Sequence, residues 1–120
     1  MKHLILVGII VLVMGGGGVL HLIAPEYFEA FVFNPLPKTL TVLTAGIVQI
    51  AIAALVLIPS TRALGGVVFA LLCLGYMPLH VWDLFRPDPV IAPLSVAVIR
   101  VVIQAGFIWV GWKIWHSRRI

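Results

Sequence analysis

Two histidines, two glutamines and one arginine lie within apolar stretches of this 120-residue sequence: His21, His80, Gln49, Gln104 and Arg100. A charged or amide side chain is costly in hydrocarbon, so each one needs a polar partner or a water-filled cavity. At about 1.5 Å per helical residue, both histidines fall near one end of their helices and both glutamines near mid-membrane. We therefore expect the five side chains to converge on one cavity that opens towards the outer side of the membrane.

Arg100 is the most informative of the five because a guanidinium keeps its charge at physiological pH. Gln104 lies one turn further along the same helix face, since residues four apart are neighbours. The sequence offers Asp83, Glu26 and Glu29 as charged partners. Two interpretations stay open: an ion pair with Asp83 that fastens a connector to the last helix, and an anchor for an anionic or carbonyl-bearing ligand.

His80 and Asp83 are three residues apart, so on a continuing helix the carboxylate could orient the imidazole, with His21 approaching from the first helix. Two histidines and one carboxylate lack a further ligand, so we expect no metal site. Nor do we expect a haem between His21 and His80, since histidines near an interface more often make simple hydrogen bonds. The cofactor is not determined by the sequence, and a quinone is retained as a candidate.

The predicted ligand pocket comprises His21, Gln49, His80, Asp83, Arg100 and Gln104. No catalytic residue is predicted, because the set contains neither a nucleophile nor a paired thiol. The single cysteine, Cys73, lies inside an apolar run and is interpreted as a packing residue.

Four apolar stretches are long enough to position these residues, because a membrane-spanning helix needs about 20 apolar residues. The predicted helices cover residues 4–23, 40–58, 63–81 and 91–115 of a single integral membrane domain, residues 1–120. With 62% hydrophobic and 10% charged residues, the chain has too little polar surface to coat a soluble domain. The expected fold is all-α, a four-helix transmembrane bundle.

The first stretch has the basic start and small residues of a signal peptide, but its apolar run continues past the glycines to Ile23, so we interpret it as a membrane helix. The aromatic residues that follow predict a short interfacial segment: Tyr27, Phe28, Phe31 and Phe33. Residues 82–89, which hold two prolines, are not expected to continue a helix.

Basic residues mark one side of the predicted bundle as cytoplasmic. With four spans, Lys2, Arg62, Lys113, Arg118 and Arg119 share one side, and Lys38 and Arg86 share the other. The richer side is expected to face the cytoplasm, which places both termini there and the protein in the inner membrane of the cell. The net charge of +4 is spread singly along the edges of apolar blocks, so no nucleic-acid partner is expected.

Several short motifs occur in a recognisable order. The sequence reads GVLHLIAPEYF over residues 18–28, NPLP over residues 34–37 and YMPLH over residues 76–80. Between and after them come Gly46, Gln49, Leu57, Pro59, Arg62, Arg100 and Gln104. Together this set, which spans nearly the whole chain, resembles the DoxX-like family of small four-helix membrane proteins.

The resemblance implies a compact bundle in an accessory role. Members of that family are similar to accessory subunits of redox complexes, including thiosulfate:quinone oxidoreductase, and wider relatives resemble receptor-assembly chaperones and membrane-maturation factors. The sequence departs from the pattern at Gln49, where an acid is common, and at Leu74 and Pro78, which replace Asn and a small residue. Since an amide does not titrate, proton-coupled chemistry at position 49 is disfavoured.

We therefore expect a non-catalytic accessory or assembly factor, not an enzyme on its own, with an outward-facing polar pocket for a lipid-like or quinone-like ligand. Its partners would be the lipid bilayer and either another membrane protein or a second copy of this chain. The alternative is a membrane subunit of a quinone-linked oxidoreductase. A small transporter ranks last because no titratable carboxylate lies within a span.

Overall fold

The computed structural model describes residues 2–32, 35–91 and 93–117, and within these ranges it is helical without strands. Four helices of the described chain are long and apolar enough to cross a membrane. The predicted fold class, an all-α bundle of four membrane helices, is therefore confirmed. Phe33, Asn34, Arg118 and Arg119, which entered the predictions of the interfacial segment, the family motif and the orientation, lie outside the described residues, as do Ala92 and both chain ends.

The first span consists of three segments: α1 (Lys2–Ile10), a π-helical segment (Val11–Gly16) and α2 (Gly17–Ile23). Two single 3-10 turns follow it, Pro25–Tyr27 and Glu29–Phe31. The other spans are α3 (Lys38–Leu57), α4 (Arg62–Phe85) and α5 (Leu94–Ser117). Successive spans are antiparallel, so the start of α1 at Lys2, the end of α5 at Ser117 and the turn between α3 and α4 lie at one end of the bundle, here called the terminal end. The remaining connectors lie at the opposite end, the connector end.

The end of α4 corrects the prediction for residues 82–89. The helix continues to Phe85, because Pro87 disfavours the helical conformation of the residue before it, Arg86, and leaves the preceding residues free to stay helical. Arg86, which precedes Pro87, takes an extended conformation with ψ of 151° and ends the helix. Asp83 is therefore helical and lies on α4, not in a loop.

Close contact between backbones pairs the helices. A Cβ atom added to Gly18 of α2 would lie 2.9 Å from the carbonyl oxygen of Gly46 on α3. One added to Gly111 of α5 would lie 2.5 Å from the carbonyl oxygen of Gly66 on α4. Small residues allow membrane helices to approach this closely and gain van der Waals contact. The four glycines thus pack inside one chain, α2 against α3 and α4 against α5.

The hydrophobic core fills the terminal half of the bundle. Its most buried members come from all four spans: Ile10, Ile52, Val56, Phe69 and Ile114. There α1 contacts both α3 and α5 and closes the bundle into a ring. Towards the connector end, α2 contacts α3 and makes little contact with α5, so the ring is left open on that side.

Replacing Gly111 with alanine tests the backbone contact between α4 and α5. We expect G111A to lower the free energy of unfolding by about 1–3 kcal/mol, because the new methyl group overpacks the crossing. G106A is the matched control on the same helix, since a Cβ there meets nothing within 4 Å. Thermal unfolding in mild detergent measures both, and equal melting temperatures for the two variants would contradict the role of the crossing.

Candidate functional site

A cavity of about 460 Å³ occupies the connector half of the bundle. Its walls come from the π-helical segment, α2, α3, α4 and α5, and the turns after the first span contribute Phe28 and Phe31. The volume falls within the range of about 300–1,000 Å³ found for small-molecule sites. The cavity exists because the core stops short of this end, where α2 and α5 separate.

The structure brings together five of the six residues predicted for the pocket. His21, Gln49, His80, Arg100 and Gln104 all line the cavity, as their predicted depths suggested. Asp83, the sixth, does not line it. Whether the five residues bind a ligand stays a prediction.

His21 and Gln49 belong to a chain of hydrogen bonds across the bundle. Nδ1 of His21 lies 2.6 Å from the carbonyl oxygen of Gly17 and donates its proton there, so Nε2 of the neutral ring is an acceptor. The Gln49 amide nitrogen lies 3.5 Å from that Nε2 and 3.3 Å from the hydroxyl oxygen of Tyr76, and donates to both. The His21 ring also stacks on Phe28, with centroids 3.7 Å apart.

Tyr76 lines the cavity and can donate into it. Its hydroxyl oxygen already accepts from Gln49, and no acceptor for its proton lies among residues 2–32, 35–91 and 93–117. A phenol bonded through its oxygen presents its proton as a donor. Sequence reasoning missed Tyr76, although its position one turn before His80 on the same helix face was a usable signal.

Asp83 stabilises the connector between α4 and α5 and does not pair with Arg100. Its carboxylate is 1% exposed and accepts the backbone N–H groups of Val90 and Ile91 at 2.7 and 2.9 Å. The nearest guanidinium is that of Arg86, at 3.8 Å. The structure thus overturns the ion pair between Arg100 and Asp83 and the place of Asp83 in the pocket, because the continued helix turns this side chain towards the connector.

Arg100 is partly buried, lines the cavity and has no counter-ion among the described residues. Its guanidinium lies 5.6 Å from the ring centroid of Phe107, a weak cation–π contact. Within the described part of the chain it forms no ion pair or hydrogen bond. Of the other predicted partners, Glu29 accepts a hydrogen bond of 2.7 Å from Thr39 at the surface, and Glu26 is exposed. The cationic group is therefore available to a ligand.

His80 and Gln104 differ in how their polar atoms are satisfied. The Gln104 amide nitrogen donates to the carbonyl oxygen of Cys73 at 2.8 Å, which ties α5 to α4 below the cavity. Nδ1 of His80 is buried and has no hydrogen-bond partner among the described residues. A buried polar atom without a partner costs about 1–3 kcal/mol, and because this nitrogen is enclosed by protein atoms, a ligand in the cavity reaches it only after a local rearrangement.

The fold and this cavity define a polytopic four-helix membrane protein with an internal pocket. Residues 10–115 match the model of the DUF8561 family, a domain of unknown function, and the chain belongs to that family. No curated protein and no solved structure matches the chain.

Removing the Asp83 carboxylate tests its role in holding the cavity wall, to which Ile91 belongs. We expect D83A to lower the free energy of unfolding by about 2 kcal/mol, since two backbone donors lose their acceptor. D88A, at an exposed position in the same connector, should stay within about 0.5 kcal/mol of the wild type. Chemical unfolding combined with limited proteolysis of residues 86–91 measures the difference, and a D83A protein as stable as D88A would refute the assignment.

Proposed function

We propose that this protein is a non-catalytic membrane accessory or assembly factor whose cavity binds one small lipid-like or quinone-like molecule. The observation that carries the proposal is the cavity at the connector end, whose lining includes the unpaired guanidinium of Arg100, the hydroxyl of Tyr76 and the ring of His80. Ligand sites combine mostly apolar walls with a few polar groups that fix orientation, and this cavity has that composition.

The walls favour an apolar, partly aromatic guest. Phe28, Phe31 and Phe107 line the cavity together with aliphatic side chains such as Val42 and Leu79. These surfaces would bury a hydrocarbon or a ring and stabilise it in proportion to the area removed from water. The polar groups would then bind one end of the ligand and fix its orientation in the cavity.

The side chains also favour a binding role over a catalytic one. The hydroxyl and thiol groups at the cavity belong to Thr41, Cys73 and Tyr76. In the described residues, none of them is hydrogen-bonded to a side chain that could act as its general base. Activation of a nucleophile requires such a base or an equivalent charge partner.

The proposed membrane, orientation and partner are inferred from the sequence. The distribution of basic residues supports an inner-membrane protein with both termini in the cytoplasm and the cavity towards the outer side. The DoxX-like resemblance supports an accessory role beside another membrane protein or a second copy of this chain.

Filling the cavity tests the proposal directly. A45F places a large ring in the cavity and should lower ligand occupancy roughly tenfold or more, because overpacking costs about 1–3 kcal/mol. A54F is the matched control, since Ala54 is exposed on the same helix. Native mass spectrometry of protein purified in mild detergent, followed by organic extraction, measures bound molecules. Equal occupancy in the two variants, or a wild type that carries only bulk phospholipid, would count against the proposal.

A second candidate function is a membrane subunit of a quinone-linked oxidoreductase, which the unpartnered groups of Tyr76, His80 and Arg100 favour. They could donate to quinone oxygens and stabilise the negative charge that develops on reduction. The electron carrier would belong to another chain.

This alternative predicts that H80A slows quinone-dependent electron transfer in the isolated complex by about 100-fold, the scale of a positioned proton donor. H116A is the control, because His116 stacks on Trp112 at the terminal end, away from the cavity. Unchanged quinone reduction rates in H80A membranes would remove this alternative.

A further inference from the structure

We propose that the cavity selects a single-chain amphiphile with an anionic carboxylate head, held at Arg100 with its hydrocarbon chain along the apolar walls. This inference rests on the proposed ligand-binding function and narrows it from lipid-like or quinone-like molecules to one chemical class. Its basis is the charge balance of the site, the alignment of α4 with α5 and the gap between α2 and α5.

The charge balance favours an anion over a neutral guest. The chain has four acidic residues, and none of them lines the cavity. Asp83 is bonded to the connector and Glu29 to Thr39, while Glu26 and Asp88 are exposed. A guanidinium at membrane depth without a counter-ion is costly. A carboxylate would neutralise Arg100 and form charge-assisted hydrogen bonds with it, whereas a quinone or an alcohol would leave the charge uncompensated.

The alignment of α4 and α5 brings further groups to the same place. The helices are antiparallel, and the hydrogen bond from Gln104 to Cys73 fixes their register. The backbone of Arg100, four residues before Gln104, therefore lies at the level of residues 76–77, and its guanidinium extends towards Phe107.

At that level the unpartnered groups suit the two oxygens of a carboxylate. Arg100 offers several N–H donors in a planar fork, and Tyr76 offers its hydroxyl proton. His80 lies one turn further along α4 and lines the same cavity, although its Nδ1 is enclosed by protein atoms. The cavity thus combines hydrogen-bond donors with one positive charge. An anionic group that accepts hydrogen bonds, such as a carboxylate, is complementary to this arrangement.

The gap between α2 and α5 connects the cavity with the bilayer. Val110 and Ile103 lie two turns apart on the same face of α5. Val110 is 7% exposed and Ile103 is 43% exposed, and along the same helix α1 contacts α5 whereas α2 makes little contact with it. A hydrocarbon chain can therefore reach the cavity sideways from lipid, so the anion comes from an amphiphile and not from a small solute in water.

The test compares four probes on the full-length protein in a neutral detergent: hexadecanoate, hexadecanol, butyrate and a decyl-chain quinone. Titration by native mass spectrometry should show hexadecanoate bound at least tenfold more tightly than hexadecanol, the same chain without the charge. Butyrate, which has the charge without the chain, should bind at least tenfold more weakly than hexadecanoate. These affinity ratios are measured on the wild-type protein, so the test does not depend on whether a substituted protein folds.

Variants then locate the head group. R100Q should weaken hexadecanoate binding at least tenfold and leave hexadecanol unchanged, and R100K should recover part of the loss. Hexadecanol or the quinone binding as tightly as hexadecanoate would overturn the inference but leave the proposed function standing, as would hexadecanoate binding that R100Q does not alter. Butyrate binding as tightly as hexadecanoate would overturn the lipid source of the anion. If none of the four probes binds, the inference and the proposed ligand-binding function both fail.

Discussion

The architecture depends on how closely two pairs of helices approach each other. Helices surrounded by lipid gain little from the hydrophobic effect, so they associate through van der Waals packing where small residues bring their backbones together. Gly18 and Gly46 do this for α2 and α3, and Gly66 and Gly111 do it for α4 and α5. The side-chain core joins the two pairs at the terminal end. At the connector end the pairs separate, and the cavity is the space between them.

The polar residues inside this bundle fall into two groups with different physical roles. Asp83 and Gln104 are each 1% exposed and bonded to backbone groups, so they fasten α4 to the following connector and to α5. Arg100, Tyr76 and His80 line the cavity, and the described chain leaves the guanidinium, the phenol proton and the enclosed Nδ1 of His80 without partners. The backbone satisfies Asp83 and Gln104, whereas the cost of leaving the other three groups without partners persists unless a ligand offsets it.

Much of this arrangement could be predicted from the sequence because membrane insertion imposes strong constraints. Hydropathy and length located four spans, and the depth of a residue along its span placed His21, Gln49, His80, Arg100 and Gln104 around one cavity. Two details could not be predicted in this way. The first is the end of α4: the helix continues to Phe85, two residues before Pro87, and this extra turn directs Asp83 towards the connector. The second is the role of Tyr76, which depends on its hydrogen bond with Gln49 of α3. The residue pattern of one helix does not reveal a contact with another helix.

The amide at position 49 explains why the cavity presents donors and no charge that would balance Arg100. Gln49 donates to Nε2 of His21 and to the oxygen of Tyr76, which directs the phenol proton towards the cavity. A carboxylate at this position would instead accept that proton and bring a negative charge to the same cavity. With glutamine the charge of Arg100 stays unopposed within the described cavity walls, so a neutral side chain on α3 determines the charge of the ligand that best fits a site on α5.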